Sequence, residues 1–358
     1  MSELADLTER LVSIPSHEDE TAAGDAVEAW LREETDADVA RDDAGNVRAW
    51  RARDADGDAL AFVGHHDVVP PADSQTTDGA EYVVSESDGR LYGRGTADMK
   101  GALAAMLLAF RDVDPGRPLG FASFVGEETG GEGARHAVDD GFDPAYAVVG
   151  EGSTGYSADG VLDVAVAHKG RRASTVTAAG SSAHASEPDA GENAVYRACD
   201  AVDVIRDLDA PSADVLGQRL GGSVAVTGID GGTAWNVIPD ACEVTVDERT
   251  VPGERAALDR VEAVDGVSWA VDQDLPPMAC DDAAFADAAV DAVRAEQDGR
   301  GERVAKPHAT DAGWLADAGV TCLVCGPAEP GEAHTSDESV SLAVLERCRR
   351  VYGRLAEL

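Results

Sequence analysis

The chain has 358 residues, with 69 acidic against 29 basic side chains and a formal net charge of −40. That length exceeds one ordinary core and calls for two domains, and a charge of that sign excludes binding to free nucleic acid. No run of about 18 apolar residues is present to span a membrane, and the opening MSELADLTER lacks the basic region and apolar core of a secretory signal, so a cytoplasmic protein is expected.

Residues 3–13 and 22–34 read as amphipathic helices, and DALAFVG at 58–64 as a short buried strand. An apolar helix follows at 99–110, a strand at 119–125, a helix at 131–139 and a strand at 145–149. This alternation predicts an α/β layer with a largely parallel sheet. From about 171 the order changes to strand (RASTVTAAG), helix (191–208), strand (SVAVTGI), strand (ACEVTVDER), helix (254–263) and strand (VSWAVDQD). That is βαββαβ, the ferredoxin-like order. Helices at 282–296 and 310–318, the buried run VTCLVCG and a helix at 337–356 close the chain. The simplest parse is a larger α/β domain, 1–169 and 279–358, interrupted by a smaller α+β domain at 170–278.

The acids interleave with apolar residues, as in DAVEAWLREETDADVA, which places them on the solvated faces of folded elements rather than in disorder. Such a surface suits a very salty cytoplasm. At molar salt the screening length is about 3 Å and self-repulsion is suppressed. Six cysteines are scattered through the chain, so no disulfide framework is expected. Cys322 and Cys325 form a C-x-x-C within an apolar strand, where positions i and i+3 face opposite sides. They read as core residues rather than partners on one zinc.

The ends of the predicted strands are unusual. His65, His66 and Asp67 follow the first, Glu127 and Glu128 the second, Glu151 the third, and a loop containing His334 the last; Asp98 stands just before the apolar helix. Open α/β sheets bind ligands at the carboxyl ends of their strands. Taken singly, each residue also reads as a polar turn or a helix cap. Taken together, imidazoles and carboxylates at one edge suit a zinc site, and a shared carboxylate suits a binuclear one.

Seven stretches carry a resemblance: GHHDVVP (64–70), LYGRGTADMKGALAA (91–105), GEETGGEGA (126–134), VVGEGS (148–153), SSAHASEPDAGENA (181–194), NVIPDACEVTVDER (236–249) and GEAHTSDE (331–338). In this order they resemble the M20 family of metal-dependent aminoacylases and peptidases. Within that family they look like the subgroup of succinyl-diaminopimelate desuccinylase and acetylornithine deacetylase. The resemblance implies two zinc ions per chain, with cobalt as a possible substitute. It implies His65, Asp98, Glu128, Glu151 and His334 as ligands, Asp98 bridging, and Glu127 as general base. It implies that Asp67 orients His65, that His66 is not a ligand, and that a non-proline cis peptide follows Asp98. His184 would stabilise the oxyanion from the lid of a homodimer. Asn236 and Arg249 would hold the substrate, with Thr310 and Asp311 as weaker candidates. The implied activity is hydrolysis of an N-acyl amino acid, with N-succinyl-diaminopimelate as first choice and acetylornithine, other N-acyl amino acids or dipeptides as alternatives. A non-catalytic metal-binding relative is the competing class; a base beside the ligands argues against it.

Overall fold

The computed structural model describes residues 2–77 and 81–357. Its centre is a nine-stranded sheet. Across it the strands run Asp38–Arg41, Val47–Arg51, Leu119–Phe124, Leu60–His65, Tyr146–Val149, Thr321–Val324, Val164–His168 and Met278–Ala279, with Arg303–Lys306 also pairing to Val164–His168. Leu119–Phe124, Leu60–His65, Tyr146–Val149 and Thr321–Val324 are mutually parallel neighbours, so their carboxyl ends share one edge.

All six residues of Leu60–His65 are buried because both faces of the sheet are covered. Leu60 and Phe62 pack into one core with the helices Gly101–Asp112, Ala283–Ala295 and Leu342–Ala356. Ala61 and Val63 pack into the other, beneath Glu132–Asp139 and Ala312–Asp317. Sheets buried on both faces need continuous apolar strands, which is why this run shows no alternation. Cys322 and Cys325 fall into opposite cores, as the strand period requires.

Residues 170–275 carry a separate antiparallel sheet, in the order Ser223–Gly231, Ala241–Thr250, Gly170–Ala179, Val267–Leu275. In chain order this is 2-3-1-4, the ferredoxin-like arrangement. The helix Ala194–Arg206 packs on one face. The second expected helix, 254–263, is a 3-10 helix over Leu258–Ala263. An unforeseen hairpin, Ser212–Val215 with Gln218–Gly221, leaves this sheet and buries Val215 and Leu220 in the larger domain's core. The strands Val164–His168 and Arg303–Lys306 were also unforeseen. The expected helix at 337–356 splits into a strand, Ser339–Ser341, and the helix from Leu342.

Candidate metal centre

His65 is the last residue of its strand, and alternation sends it and His66 to opposite sides. His65 Nε2 lies 3.1 Å from Asp98 Oδ1 and 3.2 Å from Glu151 Oε1. His66 turns away, with its Nδ1 2.8 Å from Ser123 Oγ. On the other side of Asp98, His334 Nε2 is 3.2 Å from Asp98 Oδ2 and 3.1 Å from Glu128 Oε1. The two oxygens of Asp98 therefore face two different histidines. Ligand-capable atoms of His65, Glu127 and Glu151 lie within 4.8 Å of one another, as do those of Asp98, Glu128 and His334.

His65 Nδ1 faces Asp67, 3.1 Å from its backbone carbonyl and 3.2 Å from its carboxylate Oδ1. The other oxygen, Oδ2, accepts the backbone N–H of Glu128 at 2.9 Å. Asp67 thus touches both the imidazole and the loop of the two glutamates. The peptide bond Asp98–Met99 is cis.

Charge dominates this pocket. Burial acts against the charged form of His65, but the carboxylates of Asp67, Asp98 and Glu151 outweigh it and hold its pKa well above the imidazole range. Hydrogen bonds to Asp98 and Glu128 push His334 up to about 10. Burial lifts Glu127 well above the carboxylate range and raises Glu128. Burial also pushes Asp311 up to about 8. Two imidazoles and several converging carboxylates thus compete for positive charge. Two divalent cations would satisfy that demand, and mixed N and O donors with three protein ligands each suit them. His334 sits at φ +64, a costly backbone conformation for a non-glycine residue of the kind that collects at functional sites.

A cavity of about 300 Å³ opens over Asp98, Glu127, Glu128, Glu151 and His334. Its far wall carries Tyr156, Lys306, His308 and Glu329. A smaller one, about 170 Å³, lies beyond Glu127 and Glu128 and is bounded by Arg171, Gln273, Asp311 and Trp314. Thr310 is buried, with its Oγ1 3.1 Å from His168 Nε2. Asp311 is buried, and neither of its carboxylate oxygens has a hydrogen-bond partner among the described residues.

The lid candidates fall elsewhere. His184 is exposed and bonded to Ser186 Oγ at 2.6 Å; the Asn236 carbonyl accepts the N–H of Ala185 at 2.9 Å. Strand pairing of Ala183–His184 with Val237–Ile238 brings these two together, but neither lines either of these cavities. Arg249 Nε donates to Asp247 Oδ1 at 2.8 Å, and Asp247 Oδ2 accepts Arg171 Nε at 2.8 Å from the adjacent strand.

Sequence reasoning missed several positioning groups. Glu338 is buried, its Oε1 accepting the backbone N–H groups of Gly95, Ala97 and Asp98 at 2.9, 3.0 and 3.2 Å, while its Oε2 pairs with Arg94. Its place four residues after His334 was the available signal. Asn46, fully buried, accepts the N–H of Val125 and donates to the carbonyl of Gly133, clamping both ends of the glutamate loop. Lys306 Nζ stands 3.5 Å from Glu151 Oε2. Neither of the last two lies in a stretch with a recognisable pattern.

Comparison with known proteins returns one consistent family and fold. The family model described as Peptidase family M20/M25/M40 matches residues 61–358. An acetylornithine deacetylase of Myxococcus xanthus is 32% identical over 321 residues, 83% of this chain and 79% of that one. The enzyme of the same name from Proteus mirabilis is 29% identical over similar shares, 83% and 79%. Among solved structures, aminopeptidase PepT from Bacillus cereus aligns over 99% of this chain and 97% of its own, with a TM-score of 0.78 at 20% identity. A dinuclear metal-binding M20 peptidase of Bacillus subtilis aligns over 99% and 96%, with a TM-score of 0.73 at 18% identity.

Proposed function

The chain belongs to peptidase family M20/M25/M40, and from that premise we propose that it hydrolyses the amide bond of an N-acyl amino acid at a two-metal centre. The observation that carries the reading is Asp98, whose two oxygens approach His65 and His334 at 3.1 and 3.2 Å, as a bridging carboxylate would. His65 and Glu151 are assigned to one cation and Glu128 and His334 to the other. Zinc is the first choice for both, with cobalt as a substitute.

A divalent cation held by these residues would acidify a bound water, bringing its pKa down to about 7, and would polarise the scissile carbonyl. The residues supply proton handling and geometry. Glu127 stands within reach of His65 and Glu151 without being needed as a ligand. Its carboxylate takes the proton of the attacking water and delivers it to the leaving nitrogen. Asp67 keeps the Nδ1 proton of His65 in place, which leaves Nε2 as the atom that would bind a cation.

The acetyl group is the first choice for the acyl part, ahead of succinyl. The relatives named acetylornithine deacetylase favour it. Arg249 is assigned to the amino-acid carboxylate. His184 and Asn236 are assigned to the cavity of a second copy in a homodimer. Trp235, fully exposed beside Asn236, and the exposed Ile229 of the lid's outermost strand support that assembly.

The test is an assay of zinc-loaded protein in concentrated KCl against N-acetyl, N-succinyl and dipeptide substrates, with Glu127→Ala alongside. The expected result is turnover of N-acetyl amino acids by the wild type, and retained metal with activity about 10²–10⁴-fold lower in the variant. Full activity in Glu127→Ala would refute the base assignment.

A further inference from the structure

Glu20 stands just before the helix Thr21–Glu34, yet its side chain makes no cap bond there. Its carboxylate reaches across 106 positions instead and accepts the backbone N–H of Gly126 at 3.1 Å. The residues before it behave in the same way. The carbonyl of Ile14 accepts Lys100 Nζ at 2.6 Å. Ser16 Oγ donates to the carbonyl of His66 at 2.7 Å, and the Ser16 carbonyl accepts the N–H of Val68 at 3.2 Å. Each target adjoins a residue of the centre: Lys100 lies two positions after Asp98, His66 next to His65, and Gly126 next to Glu127. One short segment is thus bonded to three of the loops that carry the site. It also precedes residue 61, where the family match begins.

We propose that Ile14–Glu20 is a strap that holds these loops in mutual register, with Glu20 as a positioning residue for Glu127. This rests on the reading of Glu127 as the base. The glutamate loop needs outside anchors because Gly126, Gly130 and Gly131 sit at φ +62, +120 and +73, where glycine is favoured and backbone freedom is greatest. Asn46 fixes its two ends. Within it, Glu20 holds the N–H before Glu127 and Asp67 holds the N–H after it. Removing Glu20 frees one side of Glu127 while leaving the proposed ligands and their other bonds in place. A displacement of about 1 Å at a reacting group costs about 10²-fold in rate.

The experiment compares Glu20→Ala and Glu20→Gln in the full, metal-loaded chain. Glutamine retains an oxygen that can accept the Gly126 N–H. Glu20→Ala is expected to lower kcat about 10–100-fold with KM within about threefold of wild type, while Glu20→Gln stays near wild type. Hydrogen exchange read on a peptide covering residues 125–133 is expected to quicken in Glu20→Ala and return to normal in Glu20→Gln. Equal losses in both variants, unchanged kcat in Glu20→Ala, or a loss explained by a lower folded fraction would each overturn the proposal. The exchange readout needs no substrate. If Glu127→Ala keeps full activity the base assignment fails, whereas unaltered exchange in Glu20→Ala sinks the strap alone.

Discussion

Asp67 accepts the backbone N–H of Glu128 at 2.9 Å, joining positions 61 apart in the chain. The same residue faces His65 Nδ1, so one buried side chain sets the imidazole of one proposed metal position and the loop of the other. Its removal should therefore disturb both positions. For Asp67→Ala, the apparent affinity for zinc is expected to fall about 10–100-fold at both, the usual cost of losing a group that orients a ligand. Competition with a chromophoric chelator measures it. Loss confined to one position would contradict the double role.

The two adjacent histidines should separate cleanly. His65→Ala is expected to lose bound metal. His66→Ala should keep its full metal content while losing about 1–3 kcal/mol of stability, because it leaves the buried Ser123 hydroxyl without its partner. Metal analysis and urea unfolding of both variants provide the check.

Glu338 should matter for both folding and metal. Its removal leaves the buried Arg94 guanidinium and three backbone N–H groups around Asp98 without their acceptor. A loss of about 3–5 kcal/mol is expected for Glu338→Ala, as for other broken buried pairs, with reduced metal content in whatever fraction folds. Calorimetry and metal analysis read the two effects.

Chelation should destabilise the protein. Asp98, Glu127, Glu128 and Glu151 converge on one cavity, where the described lining residues able to carry positive charge are Lys306, His308 and His334. A metal present at 100 times its dissociation constant adds about 2.7 kcal/mol per site. The melting temperature should drop on treatment with chelator and return when zinc is restored.

Salt should act in the opposite sense to that seen for proteins held by surface ion pairs. With 69 acidic and 29 basic residues, self-repulsion exceeds attraction, and screening relieves it. The melting temperature is expected to climb between dilute and multimolar KCl. A flat or falling curve would remove the high-salt reading.

The sequence by itself determined which chemistry is available and roughly where. Apolar runs buried on both faces marked the parallel strands, and the side chains just past their ends marked the edge where a ligand binds. This was legible because strand period and strand-end chemistry are local properties of a few consecutive residues. Only the tertiary structure decided the pairing: that Asp98 turns one oxygen to each histidine, that Asp67 serves His65 and Glu128 together, and that Glu20, Asn46 and Glu338 hold backbone N–H groups of the site. Asp67 and His65 apart, these partners lie tens to hundreds of positions from one another. A hydrogen bond to a backbone N–H depends on the path of the chain and not on the identity of the residue that donates it, so no pattern in the donor's sequence announces it.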